Sequence, residues 1–101
     1  MMYFLYILYS ESSDRYYVGY SSEPFRRLIE HNTSPLSTYT SNHRPWTLKA
    51  IYNCGQIKSR AIQIERFIKK NKSRSLIKRL VTGVELSGVL AQIVRVPHVR
   101  D

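Results

Sequence analysis

Residues 2–20 read MYFLYILYSESSDRYYVGY, two aromatic and branched runs separated by the polar stretch Ser10–Asp14. Aromatic and β-branched side chains fit a pleated, half-buried surface better than a helix, so Met2–Tyr9 predicts a buried strand. Strand side chains alternate between faces. Phe4, Tyr6 and Leu8 therefore share one face, and Tyr3, Leu5, Ile7 and Tyr9 the other. Ser10–Asp14 is a turn and Arg15–Tyr20 a second strand. So short a connection implies an antiparallel hairpin, which lets Tyr6 and Tyr17 approach each other across one sheet face. Gly19 is expected to end the second strand where backbone passes close to another group.

Reading outward, Ser21 and Ser22 precede Glu23-Pro24, a cap, an early acid and a first-turn proline that open a helix. The helix runs to about His31, with Phe25, Leu28 and Ile29 as its expected core stripe. Arg27 and His31, four apart, share a different side. Asn32–Arg44 is polar and rich in Ser and Thr, a loop long enough to be functional. Its Tyr39, Thr40, His43 and Arg44 are candidates for nucleic-acid contact. Trp46–Asn53 predicts a third strand. A second helix follows from near Ser59 to about Lys70, with Ala61, Ile64 and Ile68 as its apolar stripe and Glu65 at the margin of the buried side. Ser73 or Ser75 then caps a third helix carrying Leu76, Ile77, Leu80 and Val81. Gly83 and Gly88 break the pattern, and Leu86, Val89, Leu90 and Ile93 suggest one more short amphipathic helix. The order β-β-α-β-α-α predicts an α/β fold, a three-stranded antiparallel sheet flanked by helices. Residues 1–82 form the expected domain and 83–101 a C-terminal extension.

A chain of 101 residues leaves room for one domain, and 43% hydrophobic content is ordinary for a globular protein. Its charge is not ordinary. Sixteen Lys and Arg against seven Asp and Glu give +9, which points to a polyanionic partner. Nine of the sixteen lie between Lys58 and Arg79, where Glu65 is the one acid. A basic helix is often no more than a solvated face, but this one adjoins Glu65, which favours a phosphate-tracking surface. Lys69, Lys70, Lys72 and Arg74 are its candidate contacts, with Arg27 and Arg44 added from the first helix and the loop. Cys54 is the single cysteine, so no internal disulfide is expected and a reducing, cytoplasmic setting fits. Met1–Tyr9 is apolar but short and has no basic segment before it, unlike a signal peptide or a membrane span. A nucleic acid is therefore expected as partner, DNA or RNA being open on charge alone, with a protein partner at the C-terminal extension but no membrane.

Tyr6, Tyr17, Arg27, His31 and Glu65 carry the chemistry. A hydroxyl that can lose a proton, a guanidinium that grips phosphate and a carboxylate suited to Mg²⁺ are the minimum kit for cutting a phosphodiester. Each has a plainer reading. Tyrosines pack on half-buried sheets, Arg27 can pair with Glu23 or Glu30, a helix-terminal His31 can serve the dipole, and Glu65 can pair with a lysine. No His/Cys group has zinc spacing, and no Gly-rich phosphate loop is present.

The ordered set resembles the GIY-YIG nuclease family, nearest to its small stand-alone bacterial members, over roughly Tyr3–Val81. The first motif appears as Phe4-Leu5-Tyr6 and the second as Tyr17-Val18-Gly19. Arg27, His31 and Glu65 fall where such nucleases carry their arginine, histidine and metal-binding glutamate. The resemblance implies a Mg²⁺- or Mn²⁺-dependent endonuclease that hydrolyses DNA in one in-line step, with a structure-specific or repair role. It implies Tyr6 as base, Arg27 on the scissile phosphate, Glu65 on the metal, and Tyr17 and His31 positioning water and substrate. A free phenol has a pKa of about 10, so Tyr6 would need a neighbouring cation or a metal-bound water to act near neutrality. The alternative is a nucleic-acid-binding module with weak or no catalysis. Many members carry an asparagine after the glutamate helix; the one later asparagine here, Asn71, still belongs to that helix.

Overall fold

The aromatic hairpin forms one half of the sheet. A computed structural model describes residues 1–71, 73–83 and 86–97. Strand β1 (Phe4–Ser10) pairs antiparallel with β2 (Arg15–Ser21) in an unbroken register, Tyr6 opposite Gly19 and Leu8 opposite Tyr17. Asp14 takes φ 52° to close the turn, a left-handed conformation that Asp tolerates. Helix α1 (Pro24–Thr33) follows, then a short 3-10 turn (Thr40–His43) and strand β3 (Trp46–Asn53), which pairs with the other edge of β1. Helices α2 (Lys58–Asn71) and α3 (Arg74–Thr82) come next.

The sheet has four strands rather than the expected three. Beyond a second 3-10 turn (Gly88–Gln92), Val94–Val96 forms β4 on the open edge of β3, giving the order β2-β1-β3-β4. The segment expected to be a short amphipathic helix is thus a tight turn and a strand. An unpaired edge of β3 would leave a row of backbone donors and acceptors open; β4 covers part of it. The sequence reading separates an extension beyond residue 82, and Leu90 and Ile93 of that stretch are buried in the main core.

Alternation of the strands splits the interior in two. Leu5, Ile7, Val18, Ala50 and Tyr52 pack under α2 and α3 with Ala61, Ile64, Ile68 and Leu80. On the opposite face Tyr6, Leu8 and Trp46 pack with Tyr17, Leu28 and Leu48. Strict alternation would put Trp46, Leu48, Ala50 and Tyr52 on one side. A β-bulge between Ile7 and Leu8 changes the phase: Ile7 pairs with Ala50 and Leu8 with Leu48, leaving Lys49 unpaired. That extra residue turns Trp46 and Leu48 towards α1.

The helix termini follow their sequence signals with one change. Ser73 caps α3, its side chain accepting from Leu76 N–H at 3.1 Å, and Gly83 ends that helix at φ 78°. Glu23, not a serine, is the N-cap residue of α1, with Pro24 in the first turn. No helix among the described residues is long and apolar enough to cross a membrane.

Candidate active site

Helix α1 does not bury the stripe its apolar residues suggest. Phe25 and Ile29 are 55% and 61% exposed, whereas Pro24 and His31 are buried and Leu28 is half-buried. Positions 24, 28 and 31 are one helical face. That face meets the sheet, so an imidazole takes a place a branched side chain would ordinarily hold. A buried polar ring is tolerated only with partners, and His31 has two. Its Nε2 lies 2.9 Å from Tyr6 Oη and its Nδ1 3.0 Å from Thr40 Oγ1.

Those partners are themselves held. Thr40 Oγ1 is 3.1 Å from Thr38 Oγ1, and the Thr40 carbonyl accepts from Trp46 Nε1 at 2.8 Å. Asn32 ties the loop to β3 in both directions, donating to the Trp46 carbonyl and accepting from its N–H. The sequence reading offers Thr40 as a nucleic-acid contact of its loop; the structure turns its hydroxyl inward to His31 instead.

Burial sets the protonation of the Tyr6–His31 pair. Burial first, then Tyr17, pushes the Tyr6 hydroxyl up to about 12, while the Arg27 guanidinium beside it pulls the other way. Burial first, then Arg27, brings the His31 imidazole down to about 4. Near neutrality the pair is a phenol and a neutral imidazole. The phenol then donates to Nε2, and Nδ1–H donates to Thr40. A neighbouring cation is present, as the chemistry requires, but burial outweighs it.

Gly19 sits inside β2 rather than at its end. A Cβ built there would lie 2.5 Å from Tyr6 Oη and 2.6 Å from its Cζ, so the tyrosine ring crosses directly over the glycine. Tyr6 is 1% exposed and its hydroxyl is fixed by His31, so the ring cannot step aside cheaply. Gly19→Ala should therefore act as overpacking, costing about 1–3 kcal/mol. Thermal melting should show a Tm lowered by roughly 5 °C or more for a domain of this size. An alanine variant with unchanged Tm and unchanged nucleic-acid cutting would show that the glycine is not what seats Tyr6.

Tyr17, Arg27 and Glu65 complete the group from three elements. The rings of Tyr17 and Tyr6 are 6.4 Å apart and those of Tyr17 and His31 4.9 Å. Arg27 forms an ion pair with Glu30, so its plain pairing on α1 is real. A guanidinium has five donors, and the rest of this one faces a cleft lined also by Tyr17 and His31. Glu65 lies on α2, which packs beneath the opposite face near the β2 edge, yet its charge is felt by the Tyr6 hydroxyl. Its carboxylate is 3.5 Å from Lys69 Nζ, and that ammonium sits 5.2 Å over the Tyr17 ring. Tyr6, Tyr17, Arg27 and His31 thus lie together on one face of the hairpin, and Glu65, on α2, is linked to Tyr17 through Lys69.

The other basic candidates are placed differently. Lys69 and Lys70 lie in the last turn of α2; Lys72 is outside the described residues. Arg74 joins α3 to the hairpin turn, donating to the Asp14 carbonyl at 3.0 Å and pairing with its carboxylate. Arg44 is turned inward and caps α1, donating to the carbonyls of His31 and Ser34 at 2.6 and 2.7 Å. Asn71 donates to the Phe67 carbonyl of its own helix.

The Glu65 carboxylate is a hard oxygen donor. Among the described residues no group of three or more His, Cys, Asp or Glu comes together. A lone carboxylate leaves most of a hard cation's positions to water and substrate. No curated protein matches the chain. The family model of the GIY-YIG catalytic domain matches residues 2–79, a span that holds the hairpin, Arg27, His31 and Glu65. The chain belongs to the GIY-YIG family, whose catalytic domains are nucleases acting on DNA with divalent metal ions.

Proposed function

We propose that this protein is a Mg²⁺-dependent endonuclease that hydrolyses DNA phosphodiester bonds in one in-line step, with Mn²⁺ an acceptable substitute. The observation that supports this most is the buried 2.9 Å contact between Tyr6 Oη and His31 Nε2 beside Arg27. A phenol held near pKa 12 is a poor source of phenolate at neutrality. A phenol already donating to a neutral imidazole can pass its proton on. As the attacking water gives a proton to the Tyr6 oxygen, the Tyr6 proton moves to Nε2. Thr40, bonded to Nδ1, keeps the imidazole in the accepting tautomer until that proton arrives, and the imidazolium so formed, acidic because it is buried, then returns the proton to bulk water. Arg27 takes the non-bridging phosphate oxygens and stabilises the charge that grows on them as the opposite P–O bond breaks. Glu65 would hold the ion, which supplies further neutralisation of the phosphate and leaving oxygen. Tyr17 borders the same space and orders water or phosphate. Lys69 and Lys70 extend positive charge along the bound strand.

The rival, a binding module with weak or no turnover, has one observation on its side: the Glu65 carboxylate is paired with Lys69. Cleavage assays on branched, flapped, nicked and plain duplex DNA separate the two. Products in Mg²⁺ and none in EDTA are expected, with branched or flapped DNA preferred and a role in repair compatible with that preference. Tight binding with no products on any substrate would establish the rival.

A further inference from the structure

The cleft beside Tyr17 and Arg27 has a wall that the hydrolytic chemistry leaves unused. The loop after α1 forms it, and the volume of this open cleft is about 610 Å³, within the range of small-ligand sites. Leu36 and Tyr39, two large side chains of this loop, are exposed on its border. Tyr39 is 47% exposed yet its ring is held. Its centroid is 4.7 Å from that of His43 and 6.4 Å from that of Trp46. Its plane is within 28° of the Tyr17 ring, 6.5 Å away. Among the described residues its hydroxyl makes no hydrogen bond, so the fold does not use its polar end.

A fixed, half-exposed aromatic ring lining the same cleft as a guanidinium is the chemistry of a base-stacking platform. We infer that Tyr39 stacks on a nucleobase flanking the scissile phosphate, and that the cleft therefore selects an unpaired nucleotide over one within a duplex. A base inside a duplex has both faces covered by its neighbours and must be unstacked to reach the ring. An unpaired base at a flap or branch is already free. Arg27 then holds the phosphate and Tyr39 the adjoining base, with Leu36 beside it. Together they set which bond meets Tyr6. This inference rests on the proposed nuclease reading for the position of the strand, and deepens it by naming the substrate class.

The test is fluorescence-anisotropy binding in EDTA, which keeps cleavage out of the measurement. The probes are a fully paired duplex and the same duplex carrying a single-stranded flap. The unaltered chain should prefer the flap. Tyr39→Ala should weaken flap binding by about 5- to 150-fold, the scale of one lost base stack. Duplex affinity and the slope of log Kd against log salt should stay unchanged, because no phosphate contact is removed. Tyr39→Phe keeps the ring and should bind as the unaltered chain does, which also shows that the alanine effect is not misfolding. Equal losses on flap and duplex, no loss with alanine, or failure of phenylalanine to preserve binding would each overturn the platform. Cleavage in Mg²⁺ is scored separately. A chain that never cuts yet keeps the Tyr39-dependent preference would overturn the hydrolytic reading and leave the platform standing.

Discussion

Glu65→Gln is expected to abolish Mg²⁺-dependent cutting while leaving DNA binding intact or slightly tighter. The substitution is nearly isosteric and deletes the carboxylate charge that would hold the metal. It also removes a negative group beside the place the phosphate must occupy, which accounts for the expected gain in binding. The structural alternative predicts something different and small. Glu65 pairs with Lys69 one helical turn away, at 3.5 Å and with the lysine about half exposed. Such i,i+4 pairs contribute ~0.3–0.5 kcal/mol. A Tm near that of the parent chain, together with lost cleavage and retained binding in EDTA, would place Glu65 in the chemistry. Normal turnover by the glutamine variant would remove Glu65 from it.

Tyr6→Phe should lower single-turnover cleavage by about 10²-fold or more, the scale of a lost proton-transfer group, while circular dichroism remains that of the folded chain. Tyr6 is buried over Gly19, so the phenylalanine ring keeps the packing and loses only the oxygen. The variant leaves His31 Nε2 without its phenol, a buried polar atom whose isolation costs about 1–3 kcal/mol; a modest fall in Tm is therefore part of the expectation. Tyr17→Phe should cost less activity, since Tyr17 lines the cleft and is not joined to His31 by a hydrogen bond. The pH profile adds a second reading. His31 must be neutral to accept a proton, and its imidazole is held down at about 4. The acid limb of kcat/KM should accordingly fall near pH 4 and not near the ordinary histidine value of about 6.5. The same shift has a stability consequence. Between pH 6.5 and 4 the unfolded chain takes up a proton on His31 that the folded chain refuses, so stability declines as pH falls through that window. Equal cleavage by Tyr6→Phe and the parent chain would transfer the base role to Tyr17 or His31.

The first three strands, most helix limits and the residue types of the site were legible in the chain itself, because they rest on local signals. The unbroken aromatic and branched run Phe4–Tyr9, the polar break at Ser10–Asp14 and the second run Arg15–Tyr20 signal a hairpin locally. Ala61, Ile64 and Ile68 fall on one side of α2 by helical spacing alone, and all three are buried. The α1 face was not legible in this way. Phe25, Leu28 and Ile29 make an apolar stripe, and by transfer energy alone it should have been the buried one. Tertiary contact decided otherwise: Tyr6 and Thr40 satisfy both nitrogens of His31, which lets the face bearing Pro24, Leu28 and His31 go inward. The bulge at Lys49 and the pairing of Val94–Val96 with β3 likewise depend on partners distant in the chain. No local period reports them. Sequence therefore determined which groups exist and roughly where each element carries them. Only the packed structure made Tyr6 and His31 a hydrogen-bonded pair, turned Arg44 inward, and set Tyr39 at the cleft, because each of those outcomes is a choice between competing burials that the fold settles as a whole.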